Sequence, residues 1–127
     1  MLSVSSRQSK SCRVKYIYKI TSCDAWRNAE KTGVFLGSGI DLSDGYIHFS
    51  TAQQAEETAA KHFAGLTDLL LIRVEVSRLG AALKWEVSRG GDKFPHLYAS
   101  LLLEDVDCVS PLKLGSDNRH DFTGLLK

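Results

Sequence analysis

Three short segments alternate between apolar and polar side chains, and this alternation restricts the fold more than any other feature of the sequence. Successive residues of a β-strand point to opposite faces of a sheet, so this alternation predicts strands. In the first segment, residues 46–50, the polar face carries Tyr46, His48 and Ser50. We therefore expect sheets with one apolar face and one face that bears chemically useful groups.

The other two alternating segments carry similar polar side chains. In residues 83–87, Trp85 and Val87 belong to the apolar set, which is expected to face the core, and Glu86 lies on the opposite face. Ordinary exposed faces are usually rich in Lys, Glu and Thr, whereas these faces bear His, Tyr and Ser as well. The polar face of the third segment carries His96, Tyr98 and Ser100.

Two helices are predicted between the strands. Thr21 or Ser22 can cap the first helix, which runs to about Thr32. Ser50 and Thr51 are each followed three residues later by Gln, a capping-box pattern that opens the second helix. Long β segments around two helices predict an α+β fold. Residues 34–44 are predicted to be a loop, and further strands are predicted at residues 15–20, 69–76, 97–104 and 106–114.

The chain has the length of one domain, at 127 residues. Residues 15–114 are predicted to form this single α+β domain. Residues 1–14 are basic and Ser-rich without the apolar stretch of a secretory signal, so a disordered tail is expected, with an organelle transit peptide as the alternative. Residues 115–127 are predicted to be a polar, partly mobile tail.

Charge is distributed unevenly along the chain. Of the 16 basic and 15 acidic residues, five bases and no acid lie in residues 1–20. The remainder therefore has eleven bases against fifteen acids, a net charge of −4. Broad nucleic-acid surfaces need clustered Lys and Arg, so the acidic body argues against one.

Membrane, disulfide and metal sites find little support. The longest apolar runs, such as Leu69–Ile72, are too short to cross a bilayer. The histidines lack the close spacing of a local metal site, although distant residues could still assemble one. Three widely spaced cysteines predict reduced thiols and a cytoplasmic location. They are Cys12, Cys23 and Cys108.

Each candidate site residue has an ordinary structural alternative. His48 lies between aromatic residues and could be a structural imidazole. Glu86 could be a plain surface carboxylate, or burial beside the neighbouring indole could raise its pKa toward acid–base use. Ser50 is expected to cap a helix, and the helix start could also meet an anion. Lys19 could be a surface lysine, whereas His96 follows a proline that holds it extended.

Two more carboxylates, Asp41 and Asp44, lie in the predicted loop. Together with Glu86 they could supply a pair for glycoside hydrolysis. The dipeptide Asp44-Gly45 is a turn signal, which favours a structural role. His62 and His120 are expected to lie at the surface.

Several short strings of the sequence resemble the family called domain of unknown function 952. They include Asp44–Thr51, Leu83–Glu86 and Phe94–Tyr98, in this order, and the resemblance extends from about residue 16 to residue 112. Members of this family are similar in fold to ADP-ribosyltransferases. The resemblance therefore implies a curved, split, mixed β-sheet with about two helices and an NAD-binding cleft between sheets.

The resemblance also implies roles for individual residues. Lys19 stands where a histidine that holds the NAD ribose would be usual. Lysine donates hydrogen bonds but cannot accept one as neutral imidazole can. Glu86 is the candidate carboxylate that stabilises an oxocarbenium-like ribose. His48, the second candidate catalytic residue, would lie on the strand that borders the nicotinamide pocket. The implied ligand-binding residues are Lys19, Tyr46, Ser50, His96 and Tyr98.

Three classes of function remain open at this point. The first is an uncharacterised pocket that binds a small molecule or nucleotide, with NAD as the candidate cofactor and no metal. The second is an NAD-dependent ADP-ribosyltransferase or NAD glycohydrolase. The third is a protein-interaction module. Substrate, acceptor and oligomeric state cannot be derived from the residues.

Overall fold

The computed structural model describes residues 15–88 and 91–126, so the predicted N-terminal tail lies outside the described residues. The α-helices of these residues are α1, Cys23–Thr32; α2, Ile40–Asp44; and α3, Ala52–His62. None of these helices is long and apolar enough to cross a membrane. The strands are β1, Tyr16–Ser22; β2, Val34–Phe35; β3, Ile47–His48; β4, Leu69–Glu75; β5, Leu83–Val87; β6, Lys93–Leu97; β7, Leu101–Leu102; and β8, Val106–Leu112.

Two three-stranded sheets form the framework. The first has the order β1-β4-β8, the second has the order β3-β6-β5, and β2 pairs with β7 alone. Tyr18 and Ser50 exchange two backbone hydrogen bonds of 2.8 Å each, which join β1 to the continuation of β3. This bridge joins an edge strand of the first sheet to the edge of the second sheet.

The α+β class is confirmed, whereas the prediction of a mixed sheet is wrong. Every strand pairing of the described residues is antiparallel. Parallel neighbours need a crossover connection that returns the chain to the same sheet. Here α3 instead connects β3 of the second sheet to β4 of the first sheet.

Local signals account for the two longer helices. The Ser22 side chain accepts a hydrogen bond from the backbone N–H of Ala25, and Gly33 ends α1 with a left-handed φ of 86°. Glycine adopts this conformation without strain because it has no Cβ, so the helix ends at Gly33. Thr51 and Gln54 form the predicted capping box of α3, each bonding to the other's backbone N–H.

A core cluster covers each face of β1 and β4 in the first sheet, whereas the edge strand β8 is largely exposed. Ile17 of β1 belongs to one cluster, together with Trp26 of α1 and Ile47 of β3. Tyr18 and its neighbours on the opposite face belong to the other cluster. The second cluster consists of Tyr18, Ile20, Ala55, Ala59, Leu69, Leu71, Leu112 and Phe122.

The strand β5 forms as predicted, but its apolar face is not buried. Trp85 is 37% exposed and Val87 is 65% exposed. Their neighbours on the same face, Pro95 and Leu97 of β6, are buried. The alternation predicted the two faces correctly, whereas the burial of one face was wrong because β5 is an edge strand of its sheet.

Two other predicted segments differ in the structure. Residues 34–44, predicted as a loop, contain β2 and the short helix α2. The strand predicted at residues 97–104 is instead divided, since β6 ends at Leu97 and β7 covers only Leu101–Leu102. Short elements of two to five residues carry too little periodic signal to be recognised before their partners are known.

The C-terminal segment packs against the second core cluster. Phe122 is only 6% exposed, and Leu125 and Leu126 lie against the same cluster. The His120 ring contacts the carbonyl oxygen of Leu66 through Nε2 at 2.8 Å. Part of the segment predicted as a polar tail therefore contributes to the core.

Candidate functional site

A buried ion pair lies between the first sheet and α2. The Nζ of Lys19 is 2.6 Å from the Oδ2 of Asp41, and the two side chains are 8% and 1% exposed. Asp41 also accepts backbone N–H groups of Ser38 and His48, at 3.0 and 3.1 Å. A charge is stable in the interior only with such partners. Lys19 is therefore a structural cation, and its interpretation as a surface lysine is wrong.

The same contacts set the charge state of Asp41. Burial raises its pKa, but the hydrogen bond from His48 and the charge of Lys19 outweigh burial and lower the pKa to about 2. Burial also lowers the pKa of Lys19, which Asp41 offsets only in part. Asp41 is consequently a carboxylate over the whole neutral range.

His48 bridges two carboxylates of α2. Its Nδ1 is 2.6 Å from the Oδ1 of Asp41, and its Nε2 is 3.0 Å from the Oδ2 of Asp44. Because an ionised carboxylate only accepts hydrogen bonds, the ring of His48 is the donor in each of these contacts. Asp44 is 43% exposed at its side chain, so the outer contact faces solvent.

His96 has its own carboxylate partner. Its Nδ1 lies 2.8 Å from the Oε1 of Glu86, which also accepts a 2.7 Å hydrogen bond from the Tyr98 hydroxyl. These two bonds lower the pKa of Glu86, so the raised pKa predicted for it is wrong. The bond to Glu86 raises the pKa of Tyr98 to about 12. Burial is too slight to reverse these effects, because the Glu86 side chain is 39% exposed.

Tyr46 joins the two histidine groups. Its ring stacks on His96 with 4.3 Å between centroids, and it also contacts His48 at 4.6 Å and Tyr98 at 4.9 Å. His48 and His96 are direct partners across the β3–β6 pairing, with 5.3 Å between ring centroids. The predicted polar faces of three segments therefore meet at one place.

A cavity of about 400 Å³ opens beside these groups. Of the predicted site residues, Lys19, His48, Ser50 and His96 line it. The Ser50 hydroxyl lies 2.9 Å from that of Thr58 on α3. The other three, Tyr46, Glu86 and Tyr98, are not lining residues. Tyr46 and Glu86 contact the histidines directly, and Tyr98 contacts Tyr46 and Glu86. The far wall comes from α3 and the β5–β6 ends: Glu57, Thr58, Lys61, His62, Phe63, Ser88, Asp92 and Phe94.

Sequence reasoning missed part of this site. Asp41 was weighed only for glycoside hydrolysis, although it anchors Lys19 and His48. His62 is exposed, as predicted, but its place beside Lys61 in the lining of the cavity was not predicted. The spacing of Thr58, Lys61 and His62 places them on one face of a helix, which is a usable signal. Within residues 15–88 and 91–126, no group of three His, Cys, Asp or Glu side chains could hold a metal ion.

The low pKa of Asp41 leads to a prediction for acid unfolding. Between its ordinary value of 3.8 and about 2, the unfolded chain binds a proton that the folded chain does not. The low pKa of Asp41 therefore contributes about 2 kcal/mol to the free energy of unfolding above about pH 4. This contribution is lost as the pH falls toward 2. Urea unfolding at pH 4.5 and 2.5 measures the difference.

The control for this pH dependence is Asp24→Asn, which removes an exposed carboxylate bound to Arg27. That variant is expected to keep the acid slope of the wild type, whereas Asp41→Asn is expected to flatten it. Equal slopes in the wild type and Asp41→Asn would contradict the assignment.

The fold and the site together define a small α+β protein with a cavity between two antiparallel sheets. The chain belongs to the DUF952 family, because the family model described as "Protein of unknown function (DUF952)" matches residues 20–109. The predicted family membership is thereby confirmed. A search among curated proteins found no match.

Solved structures of one bacterial protein are similar to this chain. The crystal structure of protein CC0527 from Caulobacter crescentus is 48% identical, with a TM-score of 0.82 over 85% of this chain and 95% of its own. A crystal structure of its double mutant gives 47% and 0.82 over the same shares. Its solution NMR structure gives 48% and 0.79, over 87% and 96%.

Proposed function

We propose that this protein binds a small polar ligand of nucleotide size in the cavity between its sheets. The observation that supports the proposal best is the convergence of Lys19, His48, Ser50 and His96, from three strand segments, on one cavity. Small-molecule sites are concave, with a few fixed polar groups among apolar walls. The volume of about 400 Å³ lies within their usual range of roughly 300–1,000 Å³.

The walls of the cavity fit the parts of a nucleotide. Phe63 and Phe94 offer aromatic surface for a planar base or a nicotinamide ring. Lys61, at the end of α3, forms a solvent-exposed ion pair of 3.0 Å with Glu57, and a phosphate oxygen can replace that carboxylate. NAD is therefore the first ligand to test, and the widely spaced cysteines favour a cytoplasmic location for the protein.

Binding is better supported than ADP-ribosyl transfer. The carboxylate required by that reaction, Glu86, bonds to His96 and Tyr98 and does not line the cavity. Lys19, at the position expected to hold the ribose, is paired with Asp41. For NAD to be consumed, Glu86 and Lys19 would both have to leave these partners, whereas ligand binding requires neither change.

A thermal-shift screen with NAD, ADP-ribose, AMP and free nicotinamide tests the proposal. A ligand at about 100 times its Kd stabilises the folded state by about 2.7 kcal/mol, which raises Tm by on the order of 10 °C for a domain of this size. We expect such a shift from at least one nucleotide. No shift from any of them would contradict the proposal.

A pair of lysine variants locates the binding. Lys61→Ala is expected to weaken nucleotide affinity about tenfold, since a charge-assisted bond to phosphate is lost. Lys31→Ala is the matched control, because Lys31 also occupies the last turn of a helix but does not line the cavity. Titration calorimetry measures the nucleotide affinity of both variants. Equal affinities would mean that the ligand binds outside this cavity, for example on a surface that serves protein interaction.

A further inference from the structure

The two histidines of the cavity differ in what their ring nitrogens can do. Glu86 accepts the Nδ1–H of His96, which leaves Nε2 as the nitrogen with a lone pair. Within residues 15–88 and 91–126, no hydrogen bond reaches that Nε2, and His96 lines the cavity. His96 is thus arranged to accept a proton from a water molecule in the cavity.

His48 has the opposite arrangement. Asp41 and Asp44 accept from its two nitrogens, so both carry hydrogen. Asp41 is buried and fixed by four contacts, whereas Asp44 is partly exposed. A ligand oxygen can therefore replace Asp44 at Nε2, and His48 then donates a proton to the ligand.

We propose that the cavity is a catalytic site that hydrolyses a small phosphodiester, with His96 as general base and His48 as general acid. This inference rests on the proposed function, since the substrate is a nucleotide-sized ligand in the same cavity. The two rings are 5.3 Å apart at their centroids and adjoin the same ligand space.

The reaction balances with these two residues and water. Nε2 of His96 takes a proton from water, and the water oxygen forms a bond to phosphorus. The bond from phosphorus to the leaving oxygen breaks, its electron pair stays on that oxygen, and the Nε2 proton of His48 neutralises it. The products are a phosphomonoester and an alcohol, and solvent returns the proton from His96 to His48.

The side chains of the cavity favour this reaction over other hydrolyses. Glycoside cleavage uses two carboxyl groups that flank the bond, but Asp41 and Glu86 are each bound to a histidine. Phosphodiester cleavage needs a proton acceptor, a proton donor and positive charge near the non-bridging oxygens. Lys61 lies on the wall formed by α3, where its ammonium group is 3.0 Å from the exposed carboxylate of Glu57 and can exchange that partner for a phosphate oxygen.

The test measures hydrolysis of bis(p-nitrophenyl) phosphate and of 2′,3′-cyclic AMP, with p-nitrophenyl phosphate as the monoester control. We expect turnover of a diester by the wild type and not of the monoester. His96→Gln and His48→Gln are each expected to lower kcat by about 100-fold or more. His120→Gln, which alters a histidine outside the cavity, is expected to retain full activity.

Glu86 is a positioning residue in this mechanism, and its variant gives a second test. Glu86→Gln is expected to lower kcat about tenfold or more with KM unchanged, because the ligand does not touch Glu86. Its side chain is 39% exposed, so the variant decides the matter if His96→Gln fails to fold. A rise in KM alone would contradict the positioning role.

Failure of this proposal is distinguishable from failure of ligand binding. A wild type that shows a thermal shift with nucleotides but cleaves neither diester would overturn the catalytic proposal and leave binding intact. Activity of His96→Gln within about twofold of the wild type would also overturn it.

Discussion

Replacement of Asp41 by Asn is expected to lower the free energy of unfolding by about 3–5 kcal/mol. The substitution keeps the shape of the side chain but removes its charge, so Lys19 is left as a buried cation that is only 8% exposed. It also replaces a charged acceptor of the His48 ring with a neutral one. Removal of one partner of a buried ion pair destabilises the protein by more than the intact pair stabilises it. The remaining charge is left in the interior without its partner and without water to solvate it.

Urea unfolding followed by circular dichroism measures this effect at neutral pH. Asp24→Asn removes a solvent-exposed pair and is expected to change stability by less than about 1 kcal/mol. Adding Lys19→Met to Asp41→Asn is expected to recover part of the loss, since the unpaired cation is then gone. If Asp41→Asn changed the free energy of unfolding as little as Asp24→Asn does, the buried pair would not be important for stability.

Replacement of Phe122 by Ala is expected to lower the free energy of unfolding by about 3–5 kcal/mol. Phe122 is buried within the second core cluster, where it packs with residues such as Leu112 and Ala59. Truncation removes the apolar contacts of the ring and leaves a cavity that the rigid strands around it cannot close. The same substitution in a mobile tail would have almost no effect.

The matched control is Leu66→Ala, since Leu66 is a large apolar residue that is 49% exposed. Its carbonyl oxygen still contacts His120, so the control preserves the attachment of the C-terminal segment. We expect a change within about 0.5 kcal/mol for this variant. Equal stabilities of Phe122→Ala and the wild type would mean that the domain ends before this segment in solution.

The alternation of side chains predicted correctly which polar groups share a face. Tyr46 and His48 lie with His96 and Tyr98, because the β3–β6 register places His48 opposite His96. Alternation is a local property of extended backbone, so it survives any choice of strand partner. The roles of these groups as lining or supporting residues did not follow from it, because those roles depend on what covers each strand.

The resemblance to DUF952 was confirmed, but it did not supply the contacts of Lys19. At a position where histidine was expected, this chain has a lysine whose charge is balanced by Asp41 of α2. The two residues are far apart in the chain, and α2 itself was predicted as a loop. The Lys19–Asp41 pair depends on the tertiary structure, so no local sequence pattern at either residue predicted it.

The sequence by itself determined the elements whose causes are local. Ser22 and Gly33 bound α1, Thr51 and Gln54 start α3, and period-two alternation defines the faces of the longer strands. These features depend on backbone groups within a few residues, so the neighbouring side chains are sufficient to specify them.

Only the tertiary structure decided which groups meet. It paired Asp41 with Lys19 and His48, exposed Trp85 on an edge strand and buried Phe122 from the predicted tail. Each of these outcomes depends on chain segments distant in sequence that compete for the same contacts. Burial and pairing are properties of the packed whole, because the free energy of a side chain depends on which neighbours exclude water from it.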